Sequence, residues 1–308
     1  LGLGCEQNLV GSLLEATGIV PGERVRTLVI QDEGGTQATV ERGVRIVTEL
    51  LETADRDRRR PFPASRLKLG LECGGSDGYS GITANPALGA AADRLVEQGG
   101  TAVLSETPEI YGAEHLLTRR AVSRAVGEKL VARIRWWEDY TARNGSQLNN
   151  NPTPGNKAGG LTTILEKSLG AATKGGSTNL VEVVGFAEPV AGPGLVFMDT
   201  PGFDPVSVTG LIAGGAHVIC FTTGRGTVLG SVPAPTLKLA TNGELYHRMA
   251  GDMDVNCGRV LDEGLSIRRM GDEIFEQVLA TASGKKTKSE LAEQGQWEFH
   301  PWYVGAVV

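Results

Sequence analysis

Short apolar runs and stretches of helical period alternate along the chain, separated by turns rich in glycine and asparagine. Val25–Gln31 is a strand-like run, and Val40, Val44, Val47 and Leu51 then recur at spacings of three and four, which predicts a helix over 37–53. Asp55–Ser65, with four arginines and two prolines, reads as a solvated linker rather than a binding patch. Residues 1–66 are therefore assigned to the remainder of an N-terminal α/β lobe cut short at Leu1, and 67–308 to the main region.

Beyond the linker the alternation is regular. Strands are expected at 67–71, 101–104, 180–184, 194–199, 217–221 and 235–240. Helices are expected at 86–98 (with Pro86 in the first turn), 112–120, 123–143, 161–169, 205–213, 242–250 and 265–282. Residues 144–160, with consecutive asparagines, prolines and glycines, read as a long loop. Strand–helix alternation implies an α/β fold of parallel sheets with helices on both faces, arranged as two Rossmann-like lobes. Ligands in such folds sit beyond the carboxyl ends of the strands.

Composition sharpens this picture in one respect. The chain carries 43 glycines in 308 residues, about twice the ordinary usage of about 7%. They follow no collagen-like period, so they mark tight turns and close backbone approaches. A net charge of −6 argues against nucleic acid or an anionic membrane as the main partner. No apolar run approaches the roughly 20 residues that span a bilayer. Four cysteines without a close pair suit a reducing cytoplasm with buried or functional thiols. The chain opens on Leu1 rather than Met, which is read as the start of a fragment or separate subunit.

Familiar nucleotide motifs fail. Asp199-Thr200-Pro201-Gly202 lacks the upstream phosphate-binding loop of a GTPase, and reads as a strand-ending turn. Gly2-Leu3-Gly4 and Gly224-Arg225-Gly226 lack the third glycine of a dinucleotide fingerprint, with Gln7 and Leu229 at those places. Anion binding at a helix N-terminus stays open as a second reading. The four histidines are scattered.

Six polar, glycine-bearing strings remain. They are Gly4–Asn8, Glu72–Pro86, Ser105–Glu109, Thr153–Gly160, Thr222–Thr227 and Asp252–Gly258. Singly each reads as a capped turn; gathered at one sheet edge they make a polar site. Carboxylates, amides and thiolates together suit a divalent metal of intermediate softness, such as iron or manganese. Arg225 can present a planar fork to a carboxylate, and Lys157 can serve as a cation or a proton-transfer group.

GLGCEQN, CGGSDGYSGITANPALG, LSETPEIYGAEHLLTRRA, TPGNKAGGLTTILEKSLG and FTTGRGTVLGS, in this order, resemble the altronate dehydratase / galactarate dehydratase family. The sulfolactate sulfo-lyase large subunit is related to the same family. The resemblance runs through nearly the whole chain, and SETPEIYGAEHLL is more similar to the altronate branch. It implies a lyase that dehydrates a sugar acid, an altronate-like aldonate or a galactarate-like aldarate, to a 2-keto-3-deoxy acid with Fe2+ or Mn2+. Sulfolactate cleavage with release of sulfite, or a non-catalytic partner subunit, are the alternatives. Cys73, Asp77, Glu106 and Asp254 are assigned near the metal, with Cys5, Glu6 and Cys257 next. Lys157, Arg225, Asp77 and Glu106 are the catalytic candidates. Ser76, Asn85, Asn156, Thr223, Arg225 and Asn256 are the candidates for substrate binding. An iron–sulfur cluster on Cys5, Cys73 and Cys257 is the minority alternative, because cluster sequences space their cysteines more closely. Self-association, or a small N-terminal partner subunit or domain, is expected. The aromatic tail 297–308 is expected to pack back on the domain or against another subunit.

Overall fold

A computed structural model describes residues 1–6 and 8–304, so Gln7 and residues 305–308 of the tail lie outside the described residues. The chain forms two compact units, Leu1–Phe62 and Pro63–Val308. The division falls within the Arg/Pro-rich segment.

The first unit holds α1 (Val10–Thr17) and α2 (Thr36–Ala54). Gly18 closes α1 in the left-handed conformation that glycine adopts without steric cost. The strand anticipated at Val25–Gln31 is reduced to one parallel bridge, Gly2 to Val29. Among the described residues only the short segment around Gly2 and Leu3 pairs with it, so the ladder ends after three backbone hydrogen bonds. The helical period of α2 is as expected, yet Val40, Val44, Val47 and Leu51 are exposed and Thr39 is its buried residue.

The second unit is built on seven parallel strands: β1 (Lys68–Cys73), β2 (Thr101–Leu104), β3 (Leu180–Val184), β4 (Gly194–Met198), β5 (Val218–Thr223), β6 (Thr236–Ala240) and β7 (Val255–Asn256). Their spatial order is β3-β4-β2-β1-β5-β6-β7. This is the α/β class anticipated from the alternation, with all seven described strands joined in one sheet rather than shared between two lobes.

Helices surround the sheet: α3 (Ala84–Glu97), α4 (His115–Thr118), α5 (Arg124–Arg143), α6 (Pro154–Ala158), α7 (Ile164–Ala172), α8 (Asp204–Ala213), α9 (Gly243–Arg248), α10 (Arg259–Asp262), α11 (Ile267–Ala282) and α12 (Lys288–Leu291). Because side chains alternate along a strand, the sheet feeds two separate cores. Leu69, Leu71, Leu104, Phe197 and Cys220 pack with α3 and α11 on one face. Val103, Val196, Met198, Ile219 and Phe221 pack with Val208 and Leu211 of α8 on the other. Both faces are therefore covered, which is why these strands read as continuous apolar runs.

Three elements depart locally from the expectation. The helix expected over 112–120 shortens to α4. The loop at 144–160 contains α6, started by a reciprocal cap between Thr153 and Asn156. β7 is only two residues long, below the length at which period is readable. In the tail, Trp302 stacks on Trp137 with centroids 5.2 Å apart and meets Phe186 edge-on, so this part packs back on its own unit. Trp297, Phe299 and Tyr303 are exposed.

Candidate active site

The chain leaves β1 through α3 toward β2, whereas β5 leads the other way to β6. The adjacent carboxyl ends of β1 and β5 therefore form the crevice where open α/β sheets take ligands. The loop Cys73–Gly78 lies across it. Gly74 N–H donates to Thr222 O at 3.0 Å, and Gly224 N–H donates to Gly75 O at 3.1 Å. Gly75 has φ +59, and Arg225 Cβ would lie 3.1 Å from a Cβ placed on it, so the arginine stem rests on a bare backbone.

At the inner end of this loop lies an acidic cluster in which Glu72 and Glu106 are buried and Asp204 is half-buried. One carboxylate oxygen from each of Glu72, Glu106 and Asp204 falls within 4.8 Å of the other two. Glu72 Oε2 accepts from Ser105 Oγ at 2.8 Å and from Ser207 Oγ at 2.7 Å. Glu106 Oε2 accepts from the Cys73 N–H at 2.9 Å and from Lys174 Nζ at 2.8 Å. Glu72 Oε1 and Glu106 Oε1 are buried with no hydrogen-bond partner among the described residues. Glu106 itself is held at φ +67, an unusual backbone state for a non-glycine residue, and its N–H donates to Thr200 Oγ1 at 2.8 Å. A Cβ on Gly74 would collide with Asp204 Oδ2, so the glycine makes room for that carboxylate.

The electrostatics of the cluster are unbalanced. Glu109 pairs with Lys167 at 2.7 Å beside it, and Lys174 pairs with Glu106. Four carboxyls, Glu72, Glu106, Glu109 and Asp204, thus face two ammonium groups, Lys167 and Lys174. Burial, and then the Glu106 charge, pushes the Glu72 carboxyl well above the usual range. Burial together with Glu106 and Glu109 raises Asp204 to about 7. Burial opposes charge on Lys174, but its acidic surroundings, with the Glu106 carboxylate in direct contact, outweigh it and hold the ammonium above its ordinary range. Burial first, and then Glu106, pushes the Cys73 thiol up, so it stays protonated.

A divalent cation fits this environment. It would supply the two missing positive charges and take the unpartnered oxygens. The donors it would meet there are hard carboxylates, where the sequence suggests a mixed thiolate and carboxylate set.

The outer end of the loop opens on a cleft of about 420 Å³, lined by Asp77, Tyr79, Gly159, Gly224, Arg225 and Asn242 among others. Asp77 is inside a dense donor shell. Ser80 Oγ donates to it at 2.9 Å, Thr241 Oγ1 at 2.9 Å and Asn242 Nδ2 at 3.0 Å. The exposed Arg225 side chain forms no hydrogen bond or ion pair with the described residues.

The remaining anticipated residues are distributed as follows. Asn85 spans Gly170 O and Thr222 Oγ1, and Asn156 spans Ser76 O and the Thr153 cap, so both amides are engaged in tying loops together. Ser76 is buried and contributes that carbonyl. Thr223 Oγ1 accepts from Gly226 N–H at 2.9 Å, and Asn256 Oδ1 accepts from Gly258 N–H at 3.0 Å. Lys157 is exposed on α6, next to Ala158 and Gly159 of the cleft wall. Asp254 accepts from the N–H groups of Lys238 and Lys288, at the start of α12. Cys257 is wholly buried in the apolar core, with its thiol pushed up by burial. In the first unit, Cys5 is exposed and accepts from Gln31 Nε2 at 3.2 Å, while Glu6 accepts from the Leu3 and Gly4 N–H groups. Backbone N–H groups hold the Glu6 carboxyl below its ordinary value.

Glu72, Asp204, Lys174, Lys167 and Glu109 are the cluster members that sequence reasoning did not single out. Glu72 carried a signal, a carboxylate in the otherwise apolar end of β1. Asp204 opens α8, where an acidic residue is equally explained by the helix dipole. No sequence rule marks Lys174.

Comparison with known proteins is extensive. Residues 64–307 match the family model "D-galactarate/Altronate dehydratase, C-terminal", and residues 1–55 match "D-galactarate dehydratase/Altronate hydrolase, second domain". The chain is 40% identical over 290 residues to an altronate dehydratase of Escherichia coli, covering 94% of this chain and 58% of that protein. It is 40% identical over 306 residues to the galactarate dehydratase (L-threo-forming) of the same organism, covering 97% and 58%. It is 34% identical over 308 residues to a (2R)-sulfolactate sulfo-lyase subunit beta of Chromohalobacter salexigens, covering 94% and 78%. The chain thus spans 58% of the length of these two dehydratases.

Proposed function

The chain belongs to the D-galactarate/altronate dehydratase family, and from that premise we propose that it dehydrates a sugar acid to a 2-keto-3-deoxy acid at the carboxyl edge of its sheet. The observation that carries the reading is the acidic cluster of Glu72, Glu106 and Asp204, in which Glu72 Oε1 and Glu106 Oε1 are buried with no hydrogen-bond partner among the described residues.

The reaction removes the proton beside a carboxylate, a poor acid, and expels the neighbouring hydroxyl as water. The resulting enol tautomerises to the keto acid. Glu72, Glu106 and Asp204 would hold a divalent cation, Fe2+ or Mn2+, which would supply positive charge to stabilise the substrate as its carbon acid ionises. Arg225, exposed on the cleft, receives the substrate carboxylate through its planar fork. Lys157, beside the cleft wall, takes up the proton removed from carbon and hands one to the departing hydroxyl, which leaves as water. Asp77 holds the loop between cleft and cluster through its bonds to Thr241 and Asn242.

Incubating anaerobically purified protein, loaded with Fe2+ or Mn2+, with altronate, galactarate and sulfolactate tests the proposal. Keto-acid formation from a sugar acid is expected. Sulfite released from sulfolactate would select the alternative elimination, and no product from any of the three would overturn the dehydratase reading.

A further inference from the structure

Glu106 is gripped from three sides. Thr200 Oγ1 accepts its N–H at 2.8 Å, while Cys73 N–H and Lys174 Nζ both donate to the same oxygen, Oε2, at 2.9 and 2.8 Å. The other oxygen, Oε1, is buried with no hydrogen-bond partner among the described residues. Lys174 is 0% exposed, so its long side chain is confined to this geometry.

The backbone carrying Lys174 is itself clamped. Residues Thr173–Gly175 form a single tight turn after α7. A Cβ on Gly89 of α3 would collide with Thr173 O and lie 3.0 Å from Gly176 Cα. Gly175 O accepts from the Arg120 guanidinium at 3.2 Å. The ammonium is therefore delivered to Glu106 from a turn wedged against α3 and held by Arg120.

We propose that Lys174 is a positioning residue: by occupying Glu106 Oε2 it leaves Oε1 as the oxygen offered to a divalent cation shared with Glu72 and Asp204. This rests on the cation site proposed for the dehydration. Simple charge neutralisation predicts the opposite consequence of losing the lysine. Removing a positive charge beside a cation site tightens binding, whereas releasing an oriented ligand weakens it.

Calorimetric titration of metal-free protein with Mn2+ separates the two without measuring activity. Lys174→Met keeps most of the side-chain volume and removes the ammonium. Mn2+ affinity is expected to fall by about 10–100-fold, the range typical for groups that orient metal ligands. Unchanged or tighter binding in folded Lys174→Met overturns the proposal. Should that variant fail to fold by circular dichroism, Glu72→Gln with Lys174→Met removes one carboxyl together with the ammonium. Its affinity is then compared with that of Glu72→Gln alone. A similar further fall supports positioning, and equal affinity overturns it. A wild-type protein that takes up no Mn2+ overturns the cation site itself, before any variant is compared.

Discussion

Gly224 packs against Asp77 so closely that a Cβ on the glycine would overlap the aspartate Cγ. The contact joins the end of β5 to the loop after β1, the two strands whose divergence opens the cleft. Asp77 cannot retreat, because Ser80, Thr241 and Asn242 all donate to its carboxylate. Gly224→Ala is therefore expected to destabilise the protein by about 1–3 kcal/mol, the range for overpacking. The denaturation midpoint in urea measures it. Gly155→Ala is the control: a Cβ there meets nothing nearer than Thr153 Oγ1 at 3.9 Å, and its midpoint should stay level or rise slightly.

Asp204 sets a pH dependence with a definite sign. Its carboxyl is raised from 3.8 to about 7 in the folded protein, first by burial and then by Glu106 and Glu109. The folded state therefore holds this proton more tightly than the unfolded chain. The associated stability is present below pH 3.8 and lost as pH rises through about 7. Glu72, raised in the same direction, adds to the slope. Metal-free protein should melt at progressively lower temperature from pH 5 to pH 8. Asp204→Asn should flatten that profile; an unaltered slope would place the titration elsewhere.

Added cation should reverse this trend. Protons compete with the cation for Glu72 and Asp204, so stabilisation by Mn2+ should be greater at pH 8 than at pH 5.5. At a hundredfold excess over the dissociation constant the gain is about 2.7 kcal/mol. Chelation with EDTA should abolish it, and Glu72→Gln should reduce it. Equal Mn2+ effects at both pH values would contradict the proposed use of these carboxyls.

The sheet was legible because its strands are buried on both faces, which leaves runs such as Leu69–Leu71 and Val218–Phe221 with few polar interruptions. α6 was hidden because Pro154-Gly155-Asn156 looks like a turn, and only the Thr153–Asn156 cap makes it helical. The cluster was harder to see. Glu72, Glu106, Lys174 and Asp204 are far apart in sequence and meet through the parallel order of β1, β2 and β4 with the turn after α7. Glu106 stood in a polar string after a strand, whereas Lys174 follows the small residues that end α7 with nothing to distinguish it. Cysteines illustrate the converse. Cys257 reads as a metal ligand beside Asn256 and Gly258, yet its neighbours in space are apolar core residues.

Arg225 offers the most direct test of substrate recognition. Its backbone N–H is held by Thr223 Oγ1 at 3.3 Å, and its stem rests on Gly75, so the side chain starts from a fixed place on the cleft rim. A hydrogen bond to a charged group contributes about 1.5–3 kcal/mol. Arg225→Ala should therefore lower kcat/KM for a sugar acid by roughly 10–150-fold at that magnitude. Arg225→Lys restores the charge without the planar fork and should recover only part of the loss. Since this side chain has no ion pair with the described residues to break, the urea midpoint should barely move. Full activity in Arg225→Ala would remove this residue from carboxylate binding and direct the search to the other cation of the cleft, Arg248, which already pairs with Glu244 at 3.1 Å.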